Sequence, residues 1–177
     1  KPAYEGKVVD VETNEPIEGA VVVAIYSKYI LSYVGSGTEE IHVVEVLTDT
    51  KGKFNLPSFT KLMGPFSREK PVHFIVFKSG YAAIEEQGVL EEIFTNKPPD
   101  YVEHQWRPGR QDVVARFAPG IIAMPKLKTK SDRQSNINRI QSPSEIKAKL
   151  LERKIEEEQR IIREINKIGR ASCRERV

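Results

Sequence analysis

The chain has 177 residues, with 28 Lys or Arg against 25 Asp or Glu and a net charge of +3. That balance excludes a polybasic nucleic-acid binder as the leading reading, and no apolar run of about 18 residues offers a transmembrane helix. The charge is unevenly spread: residues 1–125 hold 13 basic and 17 acidic side chains, whereas residues 126–177 hold 15 and 8. An acidic body with a basic, helical tail is expected.

Both termini are unusual. Lys1 stands where a Met would begin a gene product, so a removed leader or a fragment is expected, and no signal peptide is visible. Residues 168–177, Ile-Gly-Arg-Ala-Ser-Cys-Arg-Glu-Arg-Val, resemble the conceptual translation of a short-read sequencing adaptor. They are expected to be foreign to the natural chain. Cys173, the sole cysteine, falls among them. The remainder then offers no disulfide, no thiolate nucleophile and no zinc-thiolate site.

In chain order, Lys7–Val11 is a short β-branched run, closed by the polar turn Glu12–Pro16. Val21–Tyr26 is too short and too β-branched for a helix and suits a strand buried on both faces. Gly19 and Ala20 before it are small, as expected where one backbone approaches another. Ser27–Glu40 reads as a connector, although Tyr29, Ile30, Leu31 and Tyr33 are more apolar than most loops. Ile41–Leu47 is another strand, and Thr48–Phe54 is a tight turn in which Asp49 accepts amide hydrogen bonds and Gly52 takes positive φ. Phe54–Leu56 starts the returning strand, ended by Pro57. Residues 58–71 form a second connector, Val72–Lys78 a further strand, and residues 84–110 another excursion. About seven strands between glycine- and proline-rich turns predict an antiparallel β-sandwich over residues 1–125.

Beyond it, residues 126–141 read as a polar linker. Ser142, Pro143 and Glu145 then form a helix start signal. Ile146, Leu150, Leu151, Ile155, Ile162 and Ile165 recur at helical spacing, predicting an amphipathic helix over residues 142–167. This stripe can pack on the sandwich or pair with another helix.

Four blocks carry a more specific pattern: Gly6-x-Val8-x-Asp10; Glu15-Pro16-Ile17-Glu18-Gly19-Ala20-Val21; Thr48-Asp49-x-x-Gly52-x-Phe54; and Phe77-Lys78-Ser79-Gly80-Tyr81. Together they resemble the carboxypeptidase regulatory-like family. That resemblance implies a transthyretin-like (prealbumin-like) β-sandwich completed by a last strand near residues 111–125. It also implies a non-catalytic accessory or adhesive module of an exported protein, in the periplasm or at the cell surface. The longer segments around these blocks, with Met124–Arg133, resemble a group of exported bacterial proteins. On the residues themselves, Asp49 and Gly52 read as turn formers, Asp10 as a strand end bonded to nearby amides, and Tyr81 as a corner whose ring covers the sandwich end.

Little in the sequence suggests enzyme chemistry. His42, His73 and His104 lack helical metal-ligand spacing. The transthyretin-like fold also hosts a hydrolase family acting on 5-hydroxyisourate, but its C-terminal Tyr-Arg-Gly-Ser is not found. The pairs Glu39-Glu40, Glu85-Glu86 and Glu91-Glu92 are non-specific as calcium ligands and read as a solvated face. No catalytic residue, metal or cofactor is expected. The candidate binding loop is Tyr101, His104, Trp106, Arg107 and Arg110, because Tyr, Trp and Arg are enriched at binding hot spots. The competing reading is that Trp106 plugs the sandwich edge. A protein or carbohydrate partner fits a binding loop. Self-assembly through the tail helix and a hydrolase are the alternative functions.

Overall fold

In the computed structural model the structure describes residues 1–32, 35–94, 102–106, 112–141, 143 and 148–174, without the side chains of Ser32 and residues 166–174. Its elements in chain order are β1 (Tyr4–Asp10), β2 (Val21–Ser32), β3 (Gly35–Leu47), β4 (Lys53–Leu56), β5 (Ser67–Glu69), β6 (His73–Phe77), β7 (Ile84–Gln87) and α1 (Val89–Ile93). They continue with β8 (Val102–Gln105), β9 (Val114–Ala118), β10 (Ile121–Met124), α2 (Lys130–Arg139) and α3 (Lys149–Arg174).

The strands form two sheets. One has the order β4-β1-β10-β9-β8, with β1 parallel to β10; the other has the order β3-β2-β6-β7, with β5 added to β2. Val21–Ile25 pairs directly with His73–Phe77, so the two most β-branched runs are neighbours in one sheet. Alternation along them sends Val22, Ala24, Tyr26, Phe74 and Val76 inward, against Tyr4, Val8, Leu56, Phe117, Ile122 and Met124.

The outward residues of the same strands, Val21, Val23, Ile25, Ile75 and Phe77, are also buried, because Ala148, Leu151, Leu150 and Ile155 of the α3 region lie on them. β2 is thus covered on both faces, and the helical stripe of the tail is used on the sandwich. Glu158, buried in α3, is clamped by Arg133 of α2 at 2.6 and 2.7 Å and by the Ser79 hydroxyl.

The observed architecture departs from the expected one at five places. There are ten strands among the described residues rather than about seven. Ser27–Glu40 is not a connector: β2 and β3 run on as a paired ribbon as far as Ser32↔Gly35. Residues 126–141 are not a linker, since Lys126 bridges to Tyr81 and α2 buries Asp132, Asn136 and Ile137. The tail helix begins at Lys149 and reaches Arg174, while Ser142, Glu145 and Ile146 lie outside the described residues. The strand expected near 111–125 is a hairpin of two, β9 and β10.

Candidate functional site

The four sequence blocks converge on one end of the sandwich, where β2 begins and β1, β3, β6 and β10 finish. Asp10 ends β1 with its side chain buried, and its Oδ1 accepts from the amides of Glu12 at 2.8 Å and Thr13 at 3.1 Å. Its Oδ2 accepts from the Tyr81 hydroxyl at 3.1 Å and from Lys126 Nζ at 2.8 Å. Burial alone would raise the Asp10 pKa, but the Lys126 ammonium, the two amides and the Tyr81 hydroxyl outweigh it and bring it down to about 2. A carboxylate so saturated is a poor proton acceptor near neutral pH; it works as a corner post.

The neighbouring turn is built the same way. Asp49 Oδ1 accepts from the amides of Lys51 and Lys53 at 2.9 and 2.8 Å. Gly52 sits at φ 71°, and its carbonyl takes the Val8 amide at 2.8 Å. A Cβ at position 52 would stand 2.4 Å from the Val8 carbonyl oxygen, so only glycine lets this turn lie against β1. Thr48 Oγ1 donates to the Ile17 carbonyl at 2.6 Å and accepts from the Ala20 amide at 2.8 Å. The Gly19 amide donates to the Thr48 carbonyl at 2.9 Å. Pro16 bridges to Val9, and the Gly80 carbonyl accepts from the Leu127 amide at 2.8 Å. Further along β1, a Cβ at Gly6 would meet the Phe54 ring at 2.8 Å, so the ring of Phe54 takes that space. Asp49 and Gly52 form the turn and Asp10 ends its strand bonded to nearby amides, as their positions in the sequence suggest, while Tyr81 adds its hydroxyl to Asp10. Lys126 has no sequence signal, because the segment around it reads as linker.

Of the expected binding loop at 101–110, Val102–Trp106 are described, and Trp106 follows the competing reading, in which it is packed into the sandwich. Trp106 is buried against Ala82, Val113 and Leu127, and its indole Nε1 donates to Asn136 Oδ1 at 3.0 Å. Asn136 also accepts from the Ala83 amide at 2.8 Å and donates to the Tyr81 carbonyl at 3.0 Å. Trp106 therefore ties α2 to the sandwich. His104 is also occupied: its Nδ1 lies 2.6 Å from Glu86, and its ring stacks on Phe117. A cleft of about 160 Å³ beside them is lined by Glu85, His104, Trp106, Asn136 and Arg139. Tyr101, Arg107 and Arg110 lie outside the described residues.

The acidic pairs also have internal partners. Glu39 pairs with Lys28 at 3.1 Å, Glu85 accepts from the Gln141 amide at 2.7 Å, and Glu91 takes Lys1, Tyr4 and the Val72 amide. Among the described residues, no three His, Cys, Asp or Glu side chains cluster as a metal site.

The opposite end of the sandwich is constructed differently. β2 is buried from Val21 to Ser27, shifts register against β3 between Tyr26 and Ser27, and then shows partly or fully exposed side chains from Lys28 to Leu31. At the base of this extension the His42 and Phe59 rings stack at 4.4 Å, with Tyr26 packed on Phe59 at 4.9 Å. Beyond it, β3, β2 and β5 continue as a three-stranded ribbon, in which Lys28, Tyr29 and Ile30 pair with Glu69, Arg68 and Ser67. The Leu31 amide donates to the Phe66 carbonyl at 2.9 Å, which places these two residues opposite one another. Leu31, Leu62 and Phe66 are 62%, 97% and 72% exposed. Large apolar side chains held in water on a hydrogen-bonded scaffold are the feature that marks an interaction site. The sequence carried a partial signal here, in the apolar run Tyr29-Ile30-Leu31.

No family model, curated protein or solved structure matches this chain. Among the described residues, no helix is long and apolar enough to cross a membrane.

Proposed function

We propose that this chain is a non-catalytic accessory module of an exported bacterial protein, a β-sandwich of carboxypeptidase regulatory-like type that meets its partner through the β3-β2-β5 ribbon. The observation that carries this reading is the group of exposed residues Leu31, Leu62 and Phe66 on a paired ribbon. Two further features support it. The polar residues of the four sequence blocks are engaged in turns and corners, which suits a scaffold. The fold covers both faces of β2 as far as Ser27 and stops there, so the ribbon is displayed by a rigid body.

Arrays of immobilised peptides, glycans and lipids probed with the full chain test this reading. Capture by one class is expected, with loss in the variant carrying Leu31→Ser and Phe66→Ser and no change in thermal unfolding. Capture unaffected by these substitutions would overturn the ribbon as the contact surface. Turnover of a hydrolase substrate that disappears in Asp10→Asn would overturn the non-catalytic role.

A further inference from the structure

We infer that the ribbon tip docks on an anionic lipid surface. The inference rests on the ribbon being the contact surface and adds the chemistry of the partner.

Three observations select lipid. First, the apolar side chains protrude. Leu31 comes from the end of β2, and Leu62 and Phe66 from the segment before β5, which the Leu31–Phe66 hydrogen bond holds alongside. Protruding side chains suit a fluid acyl and headgroup layer that closes around them, whereas a protein partner must supply a matching concavity. Second, cations flank them. Lys61 precedes Leu62, and Arg68 lies opposite Tyr29 in the ladder. Neither has an ion pair or side-chain hydrogen bond among the described residues, so both charges are available to phosphate.

Third, the ribbon's two faces differ. Strand alternation puts Tyr29, Leu31, Phe66 and Arg68 on one face, with Lys70 Nζ 5.0 Å from the centroid of the Tyr29 ring. Glu39 and Glu69 fall on the other, where Glu39 pairs with Lys28 and Glu69 lies 3.7 Å from Lys1. Glu40 shares the Tyr29 face, but it pairs with Ser27 at the base of the ribbon, away from the tip. The unspent charge at the apolar end is therefore positive. Side chains seated at the headgroup boundary and cations drawn to anionic lipid act together in such docking, and the ionic part weakens with salt.

Co-sedimentation of the full chain with phosphatidylcholine vesicles, with and without phosphatidylglycerol, tests this. Binding is expected only with phosphatidylglycerol, and it should weaken as salt is raised. The pair Leu62→Asp with Phe66→Asp and the pair Lys61→Glu with Arg68→Glu should each lower the affinity about tenfold. All four positions are at the surface, so thermal unfolding confirms that each variant folds. Absence of binding, equal binding to phosphatidylcholine alone, or variants that bind as the parent chain does would overturn the inference. A chain that ignores vesicles but captures a peptide or glycan through Leu31 and Phe66 sinks the lipid partner and keeps the module reading. One that captures nothing through the ribbon sinks both.

Discussion

Where β2 begins, the side chain of Asp10 collects four hydrogen bonds, that of Thr48 two and that of Asn136 three, and the nearby Trp106 ring is buried. Where β2 runs out, the ladder bonds continue, but Leu62 and Phe66 stand in water and Lys61 and Arg68 are unpaired among the described residues. One end uses its unusual residues to hold itself together; the other holds them out. This difference separates residues that specify a fold from residues that meet something else, and composition alone does not make that separation.

The sharpest way to break the comparison is Trp106→Ala. It empties a buried aromatic site and removes the indole donor from Asn136. A loss of about 4 kcal/mol in stability is expected, read by urea unfolding, and a small change would return Trp106 to the list of surface residues.

Acid gives the next largest effect. The Asp10 pKa lies near 2 in the folded chain, below about 3.9 when unfolded, so the stabilisation is complete above pH 4 to 5. It is lost as pH falls through the folded value, and the difference is worth about 2 kcal/mol. The urea midpoint should drop over this window in the parent chain. In Asp10→Asn that contribution should be missing and the drop correspondingly smaller; an unaltered profile would detach Asp10 from the corner.

The smallest effect belongs to the ribbon. Leu62→Ser and Phe66→Ser should shift stability by less than about 0.5 kcal/mol, measured by the same unfolding. A larger loss would mean that these side chains serve the fold after all.

Much of the β architecture was legible. β-branched density marked β2 and β6, and the glycine and aspartate of the turn at 49–52 marked its geometry. The tail stripe marked a helix, and Ala148, Leu151 and Ile155 now show what it packs on. α2 was missed because it is anchored by buried polar groups, Asp132 and Asn136, with Ile137 its one buried apolar side chain. Hydrophobic periodicity cannot register a helix held by hydrogen bonds to partners 55 and 53 residues away, as Asn136 is to Tyr81 and Ala83. The ribbon was missed because Gly35 and Gly37 read as loop, while cross-strand pairing with β3 and β5 makes it a sheet. Trp106 kept two readings, hot spot or plug, because an aromatic among prolines and arginines suits either by composition, and Asn136, the partner that favours the plug, lies 30 residues on.

The coat of α3 over Val21, Val23, Ile25, Ile75 and Phe77 has a practical corollary for anyone dissecting this protein. Cutting at residue 141, where the sequence invites a boundary, would strip one side of the central strands and leave a flat greasy sheet prone to clumping. The smallest separable piece has to carry its helix at least through Glu158 and Ile162.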